Sequence, residues 1–112
     1  MKIIDKSEVE VAKTPHKVDV RKLFSFEHAT IVHIELKPGE ALKKHITPVD
    51  VTFYVLEGEG SVEIGEERKD VIKGQLIFSP AKIPHKLLNN SDKDFSFLVI
   101  KTPTPTSETK IL

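Results

Sequence analysis

His45 and His85 lie forty positions apart, each inside a segment punctuated by glycine and proline. The first segment runs Gly39, five residues, His45, then Thr47, Pro48 and Asp50, a run from Val51 to Glu57, and Gly58. The second runs Gly74, five residues, Pro80, then Pro84, His85 and Asn89. Imidazole titrates near neutral pH and is the commonest side-chain donor to metals. Two imidazoles aimed into one cavity would suit metal binding, proton transfer or the gripping of a polar ligand.

The elements that must position them read as β-strands. No window sustains the spacing of an amphipathic helix for three turns, whereas short β-branched and aromatic runs recur between turn residues. Ala29–Leu36 alternates, with Val32, Ile34 and Leu36 on one face and His33 and Glu35 on the other. Lys37-Pro38-Gly39-Glu40 makes a turn. Val51–Leu56 is nearly all apolar and is expected to be buried on both faces. Ser61–Ile64 and Lys69–Ile72 form a hairpin around Gly65-Glu66-Glu67. Leu76–Ser79, His85–Leu88 and Phe95–Lys101 complete the series, and possible strands near Ile3-Ile4 and Val9–Val11 would cover an edge. Many short strands at such intervals predict a sandwich or barrel.

The chain of 112 residues makes one domain, 1–112, with a barrel core over about 18–101. Residues 1–17 and the tail 102–112 are peripheral, the tail extended because its prolines cannot donate regularly to a ladder. Seventeen basic residues balance 17 acidic ones, with no basic block, which argues against nucleic acid or membrane as a partner. No apolar run approaches a membrane span. The charged start lacks a signal-peptide core, and zero cysteines suit a cytoplasmic location.

On these residues the chain resembles the cupin superfamily, an all-β fold built as a double-stranded β-helix, or jelly-roll barrel. Its first motif is Gly, five residues, His-x-His, three or four residues, Glu, six residues, Gly. Gly39, His45 and Gly58 match, with Thr47 at the second His and Val51, or Thr52 at the longer spacing, at the Glu. The second motif is Gly, five residues, Pro-x-Gly, two residues, His, three residues, Asn. Gly74, Pro80, His85 and Asn89 match, and Lys82 replaces the inner Gly.

The resemblance implies one divalent transition metal (Fe, Mn, Ni, Zn or Cu) held by three His and one Glu. Only His45 and His85 carry over, so a metal and no metal stay equally open. Thr47 is a weak oxygen donor, and Asp50 would supply a carboxylate only if a bulge re-aimed it, since one step along a strand reverses the side chain. Val51, Phe53, Val55 and Phe78 are expected to line the cavity, while Phe24, Phe26, Phe95 and Phe97 belong to the core. His33 is expected in solvent and His16 on a surface loop, whereas His28 shares the inward parity of Val32. Tyr54 has the parity opposite to His45, and Lys43 and Lys44 are expected to be solvated.

These readings leave several functions open. One is a metal-dependent enzyme of dioxygenase or isomerase type acting on a small polar molecule. Another is a non-catalytic module that binds a small ligand and has lost its metal. A metal-free acid–base enzyme would need a partner acid that the sequence does not display. The family also implies a homodimer, with Phe95–Ile100 and the N-terminal strands as contributors.

Overall fold

The computed structural model describes residues 1–112 and contains two five-stranded antiparallel sheets closed face to face. The strands are β1 (Asp19–Phe26), β2 (Ala29–Leu36), β3 (His45–Ile46), β4 (Asp50–Glu57), β5 (Glu59–Ile64), β6 (Glu67–Ile72), β7 (Leu76–Ser79), β8 (His85–Leu88), β9 (Phe95–Thr102) and β10 (Lys110–Ile111). One sheet has the order β1-β2-β9-β4-β7 and the other β10-β3-β8-β5-β6. This is the jelly-roll barrel that the cupin resemblance implies, within the sandwich-or-barrel class that the spacing of strands and turns predicts.

Alternation builds the core. Val32, Ile34 and Leu36 of β2, Val51, Phe53 and Val55 of β4, and Phe95, Phe97 and Val99 of β9 all turn inward, against Val62, Val71 and Leu87 of the other sheet. Register aligns them in rows across the sheet: Val32 opposes Val99, and Val99 opposes Phe53. Two residues further along β9, in the same inward parity, Lys101 stands opposite Thr30 on one side and Val51 on the other.

Several expectations need correction. β4 is buried on one face only, because Tyr54 is exposed and Thr52 and Leu56 are half-buried. Residues 1–17 hold no strand; they contain a 3₁₀ turn, Lys6–Glu8, whose Lys6 carbonyl accepts from Arg21 Nη1 at 3.0 Å. β1 begins only at Asp19. The tail is not merely extended, since Lys110 and Ile111 pair with Ile46 and His45. β9 lies between β2 and β4 and so has no free edge to offer a second copy. Phe26 is exposed and Phe24 only half-buried, so neither belongs to the core.

Two turns show what the motif glycines are for. Gly58 has φ +78°, and a Cβ there would run into the Asp94 carbonyl and sit 3.2 Å from Phe95 Cα. Lys82 has φ 65°, so the position where the family pattern carries glycine keeps its left-handed backbone although a lysine occupies it. Its amide donates to the Thr47 carbonyl at 2.9 Å, which fixes the turn beside the histidine segment.

A non-glycine residue in this region costs about 1–2 kcal/mol, offset by about 0.5–1 kcal/mol for the greater freedom of an unfolded glycine. Lys82→Gly is therefore expected to stabilise the fold by about 0.5–1 kcal/mol. Gly58→Ala is expected to destabilise it by about 2–4 kcal/mol, because both backbone angle and neighbouring backbone oppose the methyl group. Urea unfolding of the two variants beside the parent chain measures both.

Candidate functional site

His45 and His85 are direct partners in the β3–β8 ladder, so the backbone register alone brings them side by side. Both are buried, and their rings meet edge to face with centroids 4.4 Å apart. Their Nε2 atoms are 3.0 Å apart. The opposite edge of each ring is anchored. His45 Nδ1 lies 2.7 Å from the Lys43 carbonyl, which can only accept, so Nδ1 carries the proton and Nε2 a lone pair. His85 Nδ1 lies 2.8 Å from Ser79 Oγ, and its Nε2 is 3.3 Å from Thr47 Oγ1. In the neutral pair His85 Nε2–H donates to His45 Nε2, and the Ser79 hydroxyl donates to His85 Nδ1. Because that hydroxyl can rotate and accept instead, His85 can also present a lone pair at Nε2. The pair thus adapts to a donor or to an acceptor.

A third histidine joins them. The loop before β1 lays His16 edge-on to His45, with centroids 4.9 Å apart. The Lys43 amide donates to His16 Nδ1 at 2.9 Å, which leaves the proton on Nε2. His16 therefore offers an N–H and not a lone pair.

His16 and His45 border a cavity of about 390 Å³ between the sheets, walled by Val20, Val32, Ile34, Phe53 and Val99 and edged by Lys13, Lys22 and Lys101, while His85 is buried behind His45. The terminal segments help to close it, through Ala12–His16 at one side and Thr109 and Ile111 at the other. A larger open depression of about 550 Å³, beside the β5–β6 hairpin, holds no histidine.

Burial sets the electrostatics. Desolvation, reinforced by His45, Lys101 and His16, pushes His85 down to about 3. Desolvation, with His45, Lys43 and Lys101, pushes His16 down to about 4. His45 is lowered as well, chiefly by burial, with the Lys43 hydrogen bond opposing. Lys101 is lowered by burial and then by Lys22. All three histidines are thus neutral at pH 7.

The other candidates fall elsewhere. Thr47 is buried beside His85. Asp50 is exposed, and its Oδ1 accepts from the Ala81 amide at 2.8 Å, so no bulge re-aims it and alternation prevails. Of the four expected cavity-lining residues only Phe53 lines it, packing edge-on to His85 at 5.4 Å. Val51 and Val55 are sealed in the core, and Phe78 is 55% exposed on the outer side of its strand. His28 is exposed beside Glu27, at 3.2 Å, and does not enter the barrel. His33 does face outward, yet it is buried with an unpartnered Nδ1.

Asn89 has a structural task, since its side-chain amide donates to the carbonyls of Leu36 at 2.9 Å and Lys93 at 2.7 Å. The contributions that sequence reasoning missed are His16, Ser79, Lys22 and Lys101. Lys101 alone had a readable signal, because it extends the inward file Phe95, Phe97, Val99.

A family model described as a cupin domain matches residues 32–101, more than half of the chain. The chain belongs to the cupin-domain family. Among solved cupin-like structures, the TT1209 protein of Thermus thermophilus is 34% identical with a TM-score of 0.79, covering 94% of this chain and 100% of that one. The polyketide cyclase RemF of Streptomyces resistomycificus has a TM-score of 0.85 at 21% identity, covering 100% of this chain and 85% of that one, and so shares the fold alone. An uncharacterized protein of Methanocaldococcus jannaschii is 29% identical over 87 residues, 77% of this chain and 75% of its own.

The metal that the cupin resemblance implies can be tested against these side chains. No group of three or more His, Cys, Asp or Glu is placed to hold an ion. Two imidazoles and a hydroxyl, with Lys101 close by and no carboxylate, do not make a centre of three His and one Glu.

The buried histidines make stability depend on pH. Their folded values lie below the ordinary 6.5, so protonation favours the unfolded chain. Stability is complete above about pH 6.5 and falls as pH drops toward the folded values, at up to about 1.4 kcal/mol per pH unit for a histidine such as His85. Thermal melting from pH 7.5 to 4.5 should show this decline, and His45→Gln/His85→Gln should flatten much of it.

Proposed function

We propose that this cupin binds a small organic molecule without a resident metal, using His45 and His85 as its polar contact. The observation that supports this is the convergence of two neutral Nε2 atoms, 3.0 Å apart, beside a partly apolar cavity of about 390 Å³. That volume falls within the range of small-molecule sites, about 300–1,000 Å³. A ligand hydroxyl inserted between the rings replaces the His85 Nε2–H···His45 Nε2 bond, donating to His45 Nε2 and accepting from His85 Nε2–H. The pair therefore suits a group that both donates and accepts, such as a hydroxyl.

A metal-assisted enzyme of dioxygenase or isomerase type is the second reading. It is favoured by the fixed tautomer of His45, since a backbone carbonyl on the far ring nitrogen is how metal-binding imidazoles are commonly oriented. Most of its ligand shell would have to come from water or substrate.

Elemental analysis of protein produced without added metal, beside His45→Ala/His85→Ala, separates the two. The metal-free reading expects no stoichiometric Fe, Mn, Ni, Zn or Cu in either protein, even after incubation of the apo form with excess ion. About one equivalent that disappears in the double variant would overturn it in favour of the metal site.

A further inference from the structure

The acidic residues of this chain avoid its cavity. None of the 16 residues lining it is Asp or Glu, although the chain carries 17 of them and is neutral overall. Three lysines and two histidines border the same space. Lys101 is the most deeply placed of the lysines, half-buried on the inward file of β9, and it makes no salt bridge or side-chain hydrogen bond. Its neighbour Lys22 has the inward parity of β1, opposite Val32, but lies exposed at the cavity mouth. A partly buried ammonium without an anion is unfavourable, and the fold supplies no carboxylate to relieve it.

Resting on the small-ligand reading above, we propose that the ligand is a small organic carboxylate. Its anionic end takes Lys101, with the His16 Nε2–H as a further donor. Its apolar body lies along Val32, Ile34, Phe53 and Val99, which leaves a polar substituent for the histidine pair. A carboxylate meeting a partly desolvated ammonium forms a charge-assisted hydrogen bond, roughly twice as strong as a neutral one. The apolar walls argue against a bare inorganic oxyanion, which would leave them uncovered.

Matched acid and amide pairs test the assignment on the full chain. Salicylate against salicylamide, and 2-hydroxyisobutyrate against 2-hydroxyisobutyramide, share a shape, carry a hydroxyl for the histidine pair and differ in charge; inorganic phosphate supplies charge without an apolar body. Binding is followed by the NMR signals of the histidine rings and the Lys101 ε-methylene. Both acids should shift the His45 and Lys101 signals and bind about tenfold tighter than their amides. Lys101→Met and Lys101→Gln, checked for folding by their amide spectra, should lose that preference and keep amide binding.

Acids and amides binding equally to the parent chain, with Lys101 unmoved, would overturn the carboxylate and leave the small-ligand reading standing. Phosphate binding as tightly as the acids would overturn the organic body. No shift of His45 or His85 by any organic probe, up to about 50 mM, would overturn both readings.

Discussion

The site depends on one cross-strand pair. β3 is only two residues long, and its single rung with β8 sets His45 opposite His85. Directly opposed residues in an antiparallel pair have Cβ atoms about 4.5–5.5 Å apart, so their rings must meet or be pushed aside. Everything nearby keeps that rung in register. β10 pairs with the other edge of β3, and the Leu112 amide donates to the Lys44 carbonyl at 2.9 Å. The Lys82 amide ties the following turn at Thr47, while Leu42 and Ala41 join the β8 side. A slip of β3 by one residue would turn His45 away from the cavity and set Lys44 or Ile46 opposite His85.

The second constraint is dielectric. Gathering two buried imidazoles with a half-buried third and a half-buried lysine disfavours every protonated form, and the arrangement is tolerable because the histidines are neutral and hydrogen-bonded on their outer edges. Neutral nitrogen chemistry is what such a chamber permits: donors and acceptors of fixed direction, with lysines along its edge. A carboxylate at position 51, or an Asp50 turned inward, would have changed its character entirely. Val51 is apolar and Asp50 is engaged with Ala81 on the outside, so the positive bias of the walls stays uncompensated from within the protein.

The fold was largely legible because alternation and turn residues are local signals. Ala29–Leu36, Leu76–Ser79 and His85–Leu88 have the bounds that their patterns predict, and the hairpin around Gly65 is only longer than expected. β1 was not legible, since Asp19–Phe26 mixes charged and aromatic residues and carries a bulge between Lys22 and Phe24. β3 and β10 are two-residue strands whose pairing is wholly non-local. For the site, motif spacing located His45 and His85 but could not bring in His16, which arrives on a loop 27 residues away from its Lys43 partner. His33 was misjudged because alternation says which face a side chain takes, not what later covers that face. Phe78 shows the same limit: its strand was right, and its direction was set by a pairing with Thr52 that the sequence does not display.

The outer ends of the two sheets carry a different consequence. β7 and β6 are edge strands, and Leu76, Phe78 and Ile72 stand more than half exposed there. A chain whose isoelectric point is near 7.0 has little net repulsion at neutral pH to keep such edges apart. Colloidal behaviour is therefore set against chemistry in this molecule. The pH range that keeps the buried imidazoles neutral includes the range in which copies repel one another least. Moderately alkaline solutions reconcile the two, because they leave the histidines unprotonated while giving the surface a net negative charge.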